Sequence, residues 1–250
     1  MTWVILFVFG AIVGSFLNVV ALRWDLPNHG RVFSQFGGRS YCPSCKVTLR
    51  WWELVPIFSF FFLRAKCKRC RNPISWQYPL IELFTGLIFA TVPLGMLPVF
   101  CFYIAIAAYD ARTKIIPDEL VYTSTGLSIL YAFLFGNYGL LDWFSGPIIF
   151  LFFASIWFIT RGRAMGFGDA KLGLSIGFLL GAALGFSAII LAFWIGAVVS
   201  LTILGMGRLG FLKSSDGLTI KSEVPFAPFM ILGVWGAVLF ELNILNVLSL

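Results

Sequence analysis

The sequence predicts an all-α polytopic membrane protein of about eight transmembrane helices, with a zinc-ribbon-like cytoplasmic loop after the first helix. Composition, the length of the apolar runs and the placement of charge predict it. Of the 250 residues, 60% are hydrophobic and only 12% are charged, about half the charge of a soluble domain. Runs such as 1–22 and 148–160 carry no polar stripe that could face water, so lipid is the solvent along much of the chain.

Measured against the length needed to cross a bilayer, spans are expected at 2–22, 78–96, 98–110, 120–136, 145–160, 170–185, 187–206 and 227–247. Tight turns separate some of them, at 93–98 and at 185–187. In this arrangement the loops after spans 1, 3, 5 and 7, with the span ends they touch, hold all eighteen Lys and Arg; only Asp142 and Glu241 lie on the other side. Lys and Arg collect on cytoplasmic loops. The basic side is therefore expected inside and both termini outside. The formal net charge of +7 follows from this topology, and no nucleic-acid partner is expected.

The first span begins Met1-Thr2-Trp3, with no basic segment before the apolar run, and reads as retained rather than cleaved. Gly10, Gly14, Ser15 and Asn18 form a small and polar face along it, of the kind that packs helices in membranes. Three divisions follow: residues 1–22 as the first helix, 23–77 as an extramembrane cysteine-rich loop, and 78–250 as the remaining membrane domain. No internal repeat is evident.

The loop holds four of the five Cys and ten of the eighteen basic residues. Cys42-Pro43-Ser44-Cys45 and Cys67-Lys68-Arg69-Cys70 are paired C-x-x-C knuckles, the spacing of a four-sulfur zinc site. Lys46, Lys66, Lys68, Arg69 and Arg71 would help to hold the thiols ionised. Redox dithiols or disulfides are the rival reading, and a reducing cytoplasm opposes structural disulfides. Four sulfurs leave no open position, so the metal is expected to be structural. Between the knuckles, residues 56–63 are apolar but too short to span; they either form a small core or lie in the membrane interface. Cys101 reads as an apolar core residue. His29, the sole histidine, gives no partner pattern for a Ser-His or Cys-His enzyme.

Ionisable groups at membrane depth are functional candidates. Asp110 ends span 3, and Asp169 opens span 6 in Gly166-Phe167-Gly168-Asp169. Span 3 runs inward and span 6 outward, so both acids are expected at the cytoplasmic face. Two adjacent carboxylates share a proton, and such a pair can polarise a water against a peptide carbonyl. Alternatively each acid pairs locally, Asp110 with Arg112 or Lys114 and Asp169 with Lys171. Gly166 and Gly168 would let an extended substrate approach. Glu82, one turn inside span 2, either is satisfied structurally or contacts substrate or cofactor. Asp118 reads as a helix cap before span 4.

These residues, taken in order, resemble a known family. Gly14-Ser15-Phe16-Leu17-Asn18-Val19, the paired C-x-x-C knuckles, Tyr78-Pro79-Leu80-Ile81-Glu82, Asp110 followed by Ile116-Pro117-Asp118, Gly166-Phe167-Gly168-Asp169 and Pro225-Phe226-Ala227-Pro228-Phe229 follow the pattern of the bacterial type IV prepilin peptidases. The resemblance implies an aspartic endopeptidase of the G-x-G-D intramembrane group in the bacterial inner membrane. Asp110 and Asp169 match the catalytic pair, cutting the short basic leader from type IV prepilin-like precursors at the cytoplasmic face. It implies a second activity too, methylation of the new amino terminus with S-adenosylmethionine, because members with a cysteine-bearing loop tend to carry it. Contacts to substrate or methyl donor would then fall to Gly14, Ser15, Asn18 and Glu82. No glycine-rich nucleoside-binding fingerprint accompanies them. Leader Lys or Arg would meet acids at the site mouth, Glu119 or Glu223. A proton-coupled transporter and a zinc-ribbon assembly factor are the competing readings; the first lacks paired broken helices, and the second has no need of two acids on one face.

Overall fold

Eight helices follow one another in the computed structural model, which describes residues 1–24, 39–208 and 225–242. They are α1 (Thr2–Arg23), α2 (Phe58–Phe62), α3 (Gln77–Thr91), α4 (Leu97–Thr113), α5 (Asp118–Phe135), α6 (Leu140–Thr160), α7 (Phe167–Arg208) and α8 (Ala227–Phe240). Two isolated antiparallel bridges are the only β pairing among the described residues. Four stretches are long and apolar enough to cross a membrane: α1, Leu94–Thr113, α6 and Phe167–Met206 of α7. His29, Glu223 and the end of the last expected span lie outside the described residues.

The seven long helices fall in the order and near the positions of the expected spans, with one correction. The break between spans 6 and 7 was expected at 185–187, yet the helix runs through those residues and breaks at Gly181, where φ is 72°. That backbone conformation suits glycine. Asp142, at the start of α6, stabilises the break: its Oδ1 accepts the Ala182 amide at 2.9 Å, and its Oδ2 accepts the Gly139 amide at 3.0 Å. One carboxylate thereby serves the beginnings of two helical runs, whose first amides lack partners within the helix.

The chain forms two compact units, Met1–Ala108 and Tyr109–Leu250, with the division inside α4. In the first unit α1 packs on α3. The crossing is close because glycines face it: a Cβ on Gly14 would come within 2.6 Å of Thr85 Oγ1, and one on Gly10 within 2.6 Å of Phe89 Cβ. Small residues give apolar helices this kind of approach in lipid, where hydrophobic burial between helices adds little.

In the second unit α7 packs against α5, α6 and α8. Ser128 and Ser175 hydroxyls lie 3.1 Å apart and Ser175 donates to Ser124 at 3.3 Å, joining α5 to α7 by buried hydrogen bonds. Phe153 of α6 is fully buried and stacks on Phe193 of α7 with ring centroids 6.0 Å apart.

The α6–α7 crossing predicts a sharp contrast between two glycines. A Cβ on Gly177 would collide with the Gly146 backbone, whereas one on Gly126 meets nothing within 4 Å. Gly177→Val should therefore lower unfolding stability in detergent by ~1–3 kcal/mol through overpacking. Gly126→Ala should leave it unchanged or raise it by up to about 1 kcal/mol through helix propensity. Thermal unfolding of both variants checks this.

Candidate active site and cysteine cluster

The two candidate acids lie at helix ends in the second unit. Asp110 belongs to the last turn and a half of α4, and Asp169 to the first turn of α7. Both side chains are buried, with relative exposures of 4% and 7%, and Asp110 is among the charges that act on Asp169. Among the described residues neither carboxylate makes an ion pair. The local partners weighed above are otherwise placed: Arg112 and Lys114 are exposed, and Lys171 Nζ lies 2.7 Å from Asp118 Oδ1. Asp118 is thus an ion-pair partner across to α7, not a helix cap. It is the first residue of α5, whose cap position, Pro117, makes no side-chain capping bond.

Backbone groups meet both acids. The Ala227 amide, first in α8, donates to Asp110 Oδ2 at 3.2 Å, and the Gly166 amide interacts with the Asp169 carboxylate. Helix starts carry unpaired N–H groups and positive partial charge, so each acid is held by an arrangement suited to an anion. Pro225 and Pro228 bracket the start of α8. Proline fits at helix starts and fixes the entry of the chain. The Ala227 contact went unnoticed in the sequence because a backbone donor has no residue signature; the two prolines were its only trace.

Gly168 brings α7 against the α4–α5 link. A Cβ there would approach Ile116 Cβ to 2.8 Å, whereas one on Gly166 would keep 3.6 Å from Asp169 Oδ2. Gly168 is a packing requirement at this site, whereas a side chain on Gly166 would stand in van der Waals contact with the Asp169 carboxylate.

In the first unit the two knuckles repeat one backbone pattern twenty-five residues apart. The Cys42 amide donates to Val47 O, Lys46 to Cys42 O and Leu49 to Ser40 O; Cys67 donates to Asn72 O, Arg71 to Cys67 O and Ile74 to Ala65 O. Lys46 and Arg71, in equivalent places, both have φ of 58°. This local duplication is a structural repeat that the differing side chains hide. Asn72 Nδ2 donates to Ser44 Oγ and ties the knuckles together.

The four sulfurs of Cys42, Cys45, Cys67 and Cys70 all lie within 4.8 Å of one another, and Cys42 Sγ and Cys70 Sγ are 3.8 Å apart. A tetrahedral ion with metal–sulfur bonds of about 2.3 Å needs edges of about 3.8 Å, so the cluster fits a zinc-sized ion. Its electrostatics ask for one. Amides of the Cys45 knuckle lower the Cys42 thiol to about 6. The Asn72 amide pulls Cys70 down, yet desolvation and the neighbouring thiols push it up to about 11. Thiols this close oppose each other's ionisation, and a divalent cation removes that opposition.

A third polar group joins α1 to α3. Glu82 is buried; its Oε2 accepts the Ile57 amide at 2.7 Å, and Ser15 also bonds it. Asn18 is fully buried. Its Oδ1 accepts Gln77 Nε2 at 3.3 Å, while its Nδ2 has no hydrogen-bond partner among the described residues. Gly14 is occupied by its contact with Thr85.

Two family models match the chain. The one described as the bacterial peptidase A24 N-terminal domain covers residues 8–96, and the one described as the type IV leader peptidase family covers 97–201. Among curated relatives, the prepilin leader peptidase/N-methyltransferase of Bacillus subtilis (strain 168) is 35% identical over 97% of this chain and 96% of its own. That of Neisseria gonorrhoeae is 33% identical over 78% of each. The Stutzerimonas stutzeri protein of the same name is 31% identical over 93% of this chain and 89% of its own. No solved structure matches the chain.

The sulfur geometry predicts that protein purified under reducing conditions carries one zinc per chain. Replacing Cys42 and Cys45 together by Ser should release it and increase proteolysis within residues 39–76, because metal binding contributes folding free energy. Elemental analysis and limited proteolysis check both outcomes; metal-free native protein would contradict the assignment.

Proposed function

The chain belongs to the type IV leader peptidase family, and from that premise we propose that it removes the leader from prepilin-like precursors with Asp110 and Asp169 and then methylates the new amino terminus. The observation that carries the catalytic reading is the pair of buried acids at helix ends, each met by a backbone amide and neither neutralised by a described cation.

The chemistry follows from two carboxyl groups sharing one proton. The ionised carboxylate takes a proton from water as the water oxygen attacks the scissile carbonyl. The protonated partner gives its proton to the carbonyl oxygen, stabilising the charge that develops there. Collapse of the tetrahedral intermediate breaks the C–N bond, and a carboxyl proton passes to the leaving amine. The leader leaves with the new carboxylate, and the mature chain keeps the free amine.

S-adenosylmethionine, when bound, supplies a methyl group to that amine. In this chain Glu82, Ser15 and Asn18 are the residues that would hold it or orient the amine. The unpartnered Asn18 Nδ2 supports this reading, since a buried amide nitrogen without a partner costs free energy that a ligand can recover. Zinc in the four-cysteine cluster has no open position and serves the fold of the loop.

Segregation of all Lys and Arg to one side supports a bacterial inner-membrane topology with both termini outside and Asp110 and Asp169 at the cytoplasmic face. Reporters fused within residues 137–143 that read as cytoplasmic would overturn it. Glu119, exposed in the first turn of α5, is an acid available to leader Lys or Arg.

Co-expression with a prepilin bearing a basic leader, followed by mass measurement of the product, tests the proposal. The wild type should yield a product lacking its leader and carrying one added methyl. Asp110→Asn and Asp169→Asn should each leave the precursor intact, while Glu82→Gln should still cleave but lose most of the methylation. Cleavage by either Asn variant at a rate near the wild type would rule out the dyad; full methylation by Glu82→Gln would remove Glu82 from the second site.

A further inference from the structure

The stretch between the two knuckles, with Trp76 just after the second, leaves large aromatic side chains open. Trp51 is 76% exposed, Phe58 65%, Phe61 62%, Phe62 85% and Trp76 61%. Only Phe60 turns inward, its ring centroid 4.8 Å from that of Trp76. A loop standing in water would bury such a cluster or bind something with it.

One hydrogen bond ties this stretch to α3. The Ile57 amide, immediately before α2, reaches the Glu82 carboxylate at 2.7 Å. Ile57 has φ 63°, a conformation costly for a β-branched residue. Glu82 is the sixth residue of α3, which puts α2 about 8 Å along that helix from its first residue at 1.5 Å per residue. Interfacial helices lie at about 5–10 Å of depth. Exposed Arg50 precedes the aromatics, and exposed Arg64, Lys66, Lys68, Arg69 and Arg71 follow them. Arg50 also lies over the Trp52 ring, 5.0 Å from its centroid.

We propose that residues 51–62, with Trp76, form an interfacial anchor whose aromatic face sits in the headgroup–acyl boundary of an anionic bilayer. The flanking Lys and Arg complement the headgroup charge, and Trp and Phe suit the boundary between apolar and wet regions. Glu82 is then also a positioning residue, because it holds α2 at the level of α3 where lipid begins. The anchor is independent of the catalytic reading and rests on α3 standing in the membrane.

Photo-crosslinking in the full-length protein tests it. p-Benzoylphenylalanine is placed at Phe62, at Phe58 or at Val47, the last an exposed residue of the first knuckle. The protein is reconstituted in vesicles of phosphatidylethanolamine and phosphatidylglycerol, irradiated, and its adducts are read by mass spectrometry. Lipid adducts should form severalfold more at 62 and 58 than at 47, and should fall when phosphatidylglycerol is replaced by phosphatidylcholine. Testing 58 and 62 separately covers the case in which one bulky substitution disrupts folding. Adducts at both no more frequent than at 47, or adducts to protein in place of lipid, would overturn the anchor.

Discussion

Asp110 accepting the first amide of α8 is the interaction on which the proposed chemistry depends. An ionised carboxylate taken out of water costs several kcal/mol. A hydrogen bond to a charged group returns about 1.5–3 kcal/mol, and a helix N-terminus at most about 2 kcal/mol in a partly buried setting. No single contact offsets the burial, so both are combined at Asp110: the Ala227 amide opens a helix. Asp169 stands in the first turn of its own helix and gains in the same way. A Lys or Arg beside each acid would have been the stronger stabiliser, and would have left carboxylates too well neutralised to move protons. Lys171, the nearest basic residue in sequence to Asp169, is held by Asp118 instead.

Much of this was legible in the sequence because charge is scarce in it. Acids in an apolar chain stand out, and Asp110, Asp169 and Glu82 were found for that reason. The cysteine knuckles were legible from spacing alone, since a two-residue gap has few structural uses. What failed to show were contacts made by backbone. The Ala227 amide, the Gly166 amide and the duplicated knuckle hydrogen bonds belong to positions whose side chains say little. The helix break was misplaced because Gly181 and Gly185 look alike in composition; only the Asp142 carboxylate, which accepts Ala182, distinguishes them. Asp118 was misread for a similar reason, as an acid at a helix start serves equally as a cap or as a partner for a cation on another helix.

The two units carry different chemistry. The first holds the four sulfurs, buried Glu82 and Asn18 and half-buried Ser15; the second holds both acids. The family models meet between residues 96 and 97, where α4 begins, whereas the compact units divide within α4, between Ala108 and Tyr109. Within the first unit Glu82 has two demands on one carboxylate. It receives the Ile57 amide that ties α2 to α3, and it bonds Ser15 of α1, a residue of the proposed second site. A residue serving both folding and a site tolerates little substitution.

The central claim is that Asp110 and Asp169 act as one unit, and a double-mutant cycle on prepilin cleavage tests it most directly. Groups that work as a unit lose their contribution together, so Asp110→Asn and Asp169→Asn should each lower kcat/KM by about a thousandfold or more, and the double variant should be no slower than the worse single. Losses that multiply in the double variant would mean that the two acids contribute separately, and that the shared proton is not the basis of catalysis.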